Sequence, residues 1–142
     1  MDRKGSAVWE GSIREGKGTV STETGVLNNA PYSFTSRFEH GSGTNPEELL
    51  AAAHAGCFSM AFSAELAKAG HTPTRVQTKA TAHLGPDPAG GAYISKIELA
   101  VEAQVPGITP AQFQEIAQGA KKGCPVSKLF KGAEIVLDAK LV

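Results

Sequence analysis

Residues 44–70 constrain this chain more than any other stretch. Thr44-Asn45-Pro46-Glu47-Glu48 is a helix start: Asn45 stands as N-cap, Pro46 takes the first helical position, and Glu48 is placed to complete a capping box. From there to Ala69 the chain is rich in Ala and Leu, and Gly70 is the natural stop. Residues 49–62 are apolar on nearly all sides, interrupted by His54 and Ser59. A helix apolar all round has to be wrapped by other structure. The reading is therefore a central helix, and its apolar stretch of 49–62 is too short for a membrane span.

The flanking zones read as strands and short helices. Ala7-Val8-Trp9 leads through a turn at Glu15-Gly16-Lys17-Gly18 into Thr19-Val20-Ser21-Thr22. A second turn at Asn28-Asn29-Ala30-Pro31 opens a predicted strand, Tyr32 to Phe38, with Tyr32, Phe34, Ser36 and Phe38 on one face and Arg37 on the other. Beyond the helix, Val76, Thr78, Ala80 and Ala82 share a face, as do Ile94, Ile97, Leu99 and Val101, across a turn at residues 86–91. That predicts a long hairpin. Thr109-Pro110 then caps a helix to about Lys122, Cys124-Pro125 starts a shorter one, and Glu134 to Lys140 closes with a strand. The sum is a single α+β domain over residues 1–142.

Composition excludes several function classes. The 142 residues carry 14 basic and 14 acidic side chains, for a formal net charge of zero. A nucleic-acid binder shows a basic excess or patch and a peripheral membrane protein a basic amphipathic face; neither is present, so no nucleic acid and no membrane is expected as a partner. The first thirty residues hold no apolar core of signal-peptide length, which places the protein in the cytoplasm. In that reducing compartment two cysteines are chemical or simply buried rather than a structural disulfide, and a zinc site made of cysteines alone is excluded.

The chemistry rests on few side chains. Cys57 lies mid-helix, where it reads either as a buried small apolar residue or as a nucleophile. Cys124 precedes Pro125 at a helix start, where it reads either as a weak cap or as a thiolate favoured by free N–H groups and the helix dipole, with Lys121 and Lys122 pushing the same way. Two thiols are what a redox pair needs, though 67 residues separate them in sequence. At about 100° per residue, Glu48 falls roughly 180° from Cys57 and Glu47 about 80°. Glu48 already serves the cap, so Glu47 is free to address an arginine, and Arg37 is the best placed among Arg3, Arg14, Arg37 and Arg75. The alternative for that pair is a solvated surface contact. His54, one turn before Cys57, admits a Cys–His hydrolase or a satisfied core histidine. His40, His71 and His83 show no ligand spacing, and there is no P-loop, dinucleotide-type glycine pattern or HExxH.

At this point a family resemblance enters. The run from Gly43 to Met60, GTNPEELLAAAHAGCFSM, resembles the signature of the OsmC/Ohr family, and Ala120-Lys121-Lys122-Gly123-Cys124-Pro125-Val126-Ser127 resembles its second cysteine motif. Trp9-Glu10-Gly11, Gly16-Lys17-Gly18 and Thr22 to Leu27 fit the OsmC branch better than the organic hydroperoxide resistance branch. The resemblance implies an intertwined homodimer, with central helices sheathed by antiparallel strands and the active sites at the subunit interface. It implies a cysteine-based peroxidase that reduces organic hydroperoxides, and hydrogen peroxide less well, in oxidative and osmotic stress defence. Cys57 is then the peroxidatic nucleophile, Cys124 the resolving thiol, Arg37 the stabiliser of the Cys57 thiolate and Glu47 the residue that orients Arg37. No metal or organic cofactor is implied, and an external thiol, of the dihydrolipoyl type, serves as reductant. Phe58 and Met60, beside Cys57, favour alkyl or lipid peroxides unless they are core. The rival reading is a non-catalytic stress or binding protein with buried, inert thiols.

Overall fold

In the computed structural model, which describes residues 1–142, the elements follow the order β1 (Gly5–Glu10), β2 (Lys17–Thr22), β3 (Ala30–Ser33), α1 (Phe34–Phe38), α2 (Pro46–Lys68), β4 (Arg75–Pro86), β5 (Ala92–Gln104), α3 (Pro110–Gly123), α4 (Pro125–Leu129) and β6 (Glu134–Leu141). They gather into two units, Met1–Leu49 and Leu50–Val142, with α2 crossing the boundary.

In the first unit β1, β2 and β3 form an antiparallel meander in which Gly18 stands opposite both Trp9 and Tyr32. A side chain at Gly18 would collide with both rings, whose centroids lie 5.3 Å apart. The strand predicted over residues 32–38 stops at Ser33 and becomes a short helix, which corrects the sequence reading. The cause is a serine pair three apart: Ser33 Oγ accepts from the Ser36 N–H at 3.2 Å, and Ser36 Oγ accepts from the Ser33 N–H at 2.9 Å. That reciprocal cap satisfies two otherwise free donors. Phe34 and Phe38 fit both a period of two and a turn of helix, so the aromatic pattern alone could not separate the two forms; their rings stack 4.9 Å apart. Arg37 therefore lies in a helical turn, with its guanidinium 5.1 Å over the Phe38 ring rather than on an opposite strand face.

The start of α2 is as the sequence predicts, with the Glu48 N–H donating to Asn45 Oδ1 at 2.8 Å. The capping box is half made, because the Glu48 carboxylate takes the Thr44 hydroxyl instead of the Asn45 N–H. At the other end the helix closes in a Schellman turn: His71 N–H reaches Leu66 O at 2.9 Å, Gly70 N–H reaches Ala67 O at 3.0 Å, and Gly70 takes φ +85°.

In the second unit β4 and β5 form the expected hairpin, and β6 joins β5. Ile94 and Ile97 are three apart yet share a face because the register shifts opposite His83 and Leu84, a bulge that restores the alternation. The β6 pairing is parallel, a departure from the all-antiparallel expectation. A strand that returns through α3 and α4 can take that direction, as a tight hairpin cannot. The core packs His54, Phe58, Phe62 and Leu66, one every four residues along α2, with Ile97, Leu99, Val101, Phe113 and Ala117.

Apart from Glu47 in its first turn, only this stripe of α2 is buried. Ala52, Ala53, Gly56, Met60 and Ala64 face outward, with Met60 77% exposed. The sequence reading had the first half of the helix wrapped on nearly every side; within one chain it is wrapped on one. By length and composition the full 23-residue helix could also cross a membrane, which the apolar stretch of 49–62 by itself could not. The aromatic stripe instead seats it in the core of the second unit.

Candidate active site: a thiol pair and an arginine–glutamate fork

Pro125 sets the position of Cys124. The residue before a proline is pushed out of helical conformation, and Cys124 takes φ −55° and ψ 125° between α3 and α4. Its N–H still closes α3 on Ala120 O at 2.8 Å, while its side chain turns inward and is wholly buried. Cys57, on the flank of α2 next to the core stripe, is half-buried. The two sulfurs lie 3.1 Å apart and both are free thiols. That gap is wider than the roughly 2.05 Å of a disulfide, so a short displacement separates contact from bond.

The two thiols are unlike. Burial alone pushes the Cys124 thiol up, but the Ser127 N–H, the Cys57 thiol, the Ser127 hydroxyl and the Val126 N–H all favour the charged sulfur and bring it below its ordinary value. Cys57 goes the other way, raised first by burial and then by its neighbour Cys124, with the Val126 N–H only partly offsetting. Between the two sulfurs, these surroundings favour charge on Cys124 and disfavour it on Cys57. This is what the helix-start argument predicts. Lys121 is not the cause, since its ammonium donates to the Ile135 carbonyl at 3.2 Å.

Arg37 and Glu47 meet within the first unit. Arg37 Nη2 lies 2.8 Å from Glu47 Oε1, and its Nε lies 3.1 Å and 3.3 Å from the two carboxylate oxygens. Glu47 is only 9% exposed and the Arg37 side chain 37%, so the pair is a fork anchored at its buried carboxylate end and open to solvent at the arginine. Glu48 keeps its place at the cap, as its helix position requires.

His54 does not touch Cys57. It is wholly buried, with Nε2 2.8 Å from Ser127 Oγ and the ring edge-on to Phe130. Burial holds it neutral by lowering its pKa. The geometry therefore lacks the base–nucleophile contact of a Cys–His hydrolase. Phe58 is core, whereas Met60 is open to solvent. His83 pairs with Glu98 at 2.9 Å beside Lys96, and no cluster of three His, Cys, Asp or Glu side chains is arranged to hold a metal. Ser127 is the residue sequence reasoning passed over: its hydroxyl meets His54, 73 positions earlier, so no local spacing announced it.

The chain is similar to known proteins over nearly its whole length. Residues 39–140 match the family model described as OsmC-like protein. The chain is 58% identical over 141 residues to peroxiredoxin OsmC of Escherichia coli, covering 99% of this chain and 97% of that one. An organic hydroperoxide resistance protein from Elizabethkingia anophelis superposes with a TM-score of 0.73 at 25% identity, over 98% of this chain and 96% of its own. An OsmC-like protein from Mycoplasma pneumoniae shares the fold, with a TM-score of 0.77 at 17% identity over 100% of this chain and 98% of its own.

Proposed function

The chain belongs to the OsmC family and is a thiol-dependent peroxidase of hydroperoxide stress defence, and on that premise we propose that its site is the Cys57–Cys124 pair served by Arg37 and Glu47, with residues 1–142 acting as one OsmC-like domain. The observation that carries this is the 3.1 Å approach of the two sulfurs. Two inert thiols need not meet, and these have no third cysteine to exchange with.

Access assigns the roles. Cys57 is half-open, whereas Cys124 is sealed, so peroxide meets Cys57 first. The Cys57 thiolate attacks the distal peroxide oxygen, the O–O bond breaks, and the alkoxide leaves as an alcohol once protonated. Cys57 becomes a sulfenic acid, and Cys124 condenses with it to a disulfide and water. In the isolated thiol pair the charge favours Cys124. Arg37 is the cation that turns the preference towards Cys57, because a guanidinium near a thiolate lowers its pKa. Its donors also suit the peroxide and the developing alkoxide. Glu47, holding two edges of the guanidinium, keeps it in one orientation.

The substrate class is organic hydroperoxides, with hydrogen peroxide reduced less well, and an external thiol of dihydrolipoyl type returns the disulfide to two thiols. The working form is a homodimer in the cytoplasm. The outward face of α2, made of Ala52, Ala53, Gly56, Met60 and Ala64, supports this: it is small, apolar and uncovered in one chain. The family's intertwined arrangement would cover it.

The test is stopped-flow consumption of cumene hydroperoxide and hydrogen peroxide by reduced protein, with mass spectrometry of the product. A fast reaction with the organic peroxide and a Cys57–Cys124 disulfide is expected. Cys124→Ser stops turnover on added dithiol but leaves one equivalent of sulfenic acid on Cys57, and Arg37→Lys slows that first step at neutral pH. Two unmodified thiols after peroxide would sink the proposal and favour the non-catalytic reading.

A further inference from the structure

The reaction just described leaves one buried polar contact unused. His54 of α2 is wholly buried, and its Nε2 lies 2.8 Å from the hydroxyl of Ser127, itself buried on α4. Its Nδ1 has no hydrogen-bond partner, and a buried ring nitrogen left unpaired is costly. A leucine at this place on the core stripe would avoid that cost, so the contact at Nε2 is what sets the histidine apart. The ring is neutral, because burial lowers its pKa. Unpaired buried N–H groups are rarer than unpaired acceptors, which puts the ring proton on Nε2: His54 donates and Ser127 accepts.

Where this contact falls gives it a use. His54 and Cys57 are three residues apart on α2, and Cys124 and Ser127 are three apart across the start of α4. Two contacts join these residues in opposite sequence order, His54 to Ser127 at 2.8 Å and Cys57 to Cys124 at 3.1 Å. They are neighbouring rungs, spaced by one helical turn, about 4.5 Å for three residues. With only five residues, α4 is too short to hold its own place. Its first turn is closed by the Lys128 N–H on the Cys124 carbonyl at 3.0 Å, so Cys124 and Ser127 shift together. The His54 ring also meets Phe130 edge-on, just beyond α4. That apolar contact is non-directional and tolerates sliding, whereas a hydrogen bond weakens steeply away from its best geometry.

We propose that His54 and Ser127 are a positioning pair: their hydrogen bond fixes the register of α4 on α2, and so keeps Cys124 facing Cys57 while the sulfur rung is made and unmade. This rests on the reading of Cys57 and Cys124 as a redox pair. The sulfur rung changes at each stage of turnover, as Cys57 gains an oxygen, closes on Cys124 and is reduced again. The His54–Ser127 rung takes no part in the chemistry and persists throughout. In closure, a Cys124 sulfur that has given its proton to solvent attacks the sulfenyl sulfur, and the S–S bond forms as the S–O bond breaks. The leaving hydroxide takes a proton back, so water is the net product. The sulfenic acid is reduced and the thiol oxidised, and no outside oxidant is required.

The experiment has two arms. In the first, the protein is equilibrated with mixtures of reduced and oxidised glutathione, and the fraction of Cys57–Cys124 disulfide gives the effective concentration of one thiol at the other. His54→Leu and Ser127→Ala lower it about tenfold, the weight of one net buried hydrogen bond. His54→Gln, whose amide can donate from the place of Nε2, restores most of it. Phe62→Leu, on the same stripe two turns further on, lowers Tm but leaves the effective concentration in place. In the second arm, one equivalent of cumene hydroperoxide forms the Cys57 sulfenic acid at the wild-type rate in His54→Leu, and disulfide closure slows by a similar factor. An effective concentration unchanged in folded His54→Leu, or lowered as far by Phe62→Leu, overturns the proposal. Should His54→Leu not fold, Ser127→Ala decides, since it removes a single oxygen. If the unmodified protein forms no sulfenic acid at Cys57 while the glutathione arm gives the expected order, the peroxidase reading fails and the positioning role of His54 stands.

Discussion

Residue by residue, the molecule holds few buried polar groups, and most of them are engaged: Glu47 by the exposed Arg37, and His54 and Ser127 by each other. Each has a consequence for stability as well as chemistry. His54 has its pKa lowered by burial, so the folded chain holds fewer protons than the unfolded chain once pH drops below the ordinary histidine value near 6.5. Stability is then complete above that value and falls as pH descends towards the folded-state pKa. Glu98, lowered first by Lys96 and then by His83, acts in the same direction, beginning only as pH falls through the ordinary glutamate value near 4.5. Thermal melts of the reduced protein between pH 7 and pH 5 should show Tm falling, and His54→Leu should flatten that slope. A slope untouched by His54→Leu would place the acid sensitivity elsewhere.

Among the elements, caps decide where things begin and end. Asn45 starts α2, Thr109 with Gln112 starts α3, and the serine pair of α1 converts a strand-like pattern into a helical turn. Gly70 is the sharpest case, since its φ of +85° is a left-handed conformation that a side chain resists, although open space surrounds it. Gly70→Ala should therefore cost about 1 kcal/mol by backbone strain alone, read as a lower urea midpoint at unchanged m-value. No loss would mean that the end of α2 is free to fray. Much of this level was legible in the sequence because caps are local: Asn45-Pro46, Thr109-Pro110 and Cys124-Pro125 each announce a helix within three residues. The short helix α1 was not, because Phe34 and Phe38 suit either period and only the hydrogen bonds of Ser33 and Ser36 break the tie.

For the whole molecule, the unpartnered face of α2 is the outstanding fact. A 23-residue helix that shows Ala53, Gly56 and Met60 to water is a poor surface for a lone chain and a good one for a second copy. Ala53→Glu puts a charge on that face and touches nothing in the core of its own chain. Light scattering after size exclusion should report a dimer for the unmodified protein and a monomer for the variant. A variant that remains dimeric would place the interface elsewhere.

The family, the α+β class, the central helix, the two cysteine motifs and Arg37 as the best-placed partner for Glu47 were all legible in the sequence. All of these are written in short spacings or in helix phase, which the chain carries locally. The packing of α2, α3 and α4 was needed to bring sulfurs 67 residues apart within 3.1 Å and to turn the ring of His54 to Ser127 rather than to Cys57. Those outcomes depend on which N–H groups, hydroxyls and apolar walls converge on each atom, and that convergence exists only once α2, α3 and α4 have packed.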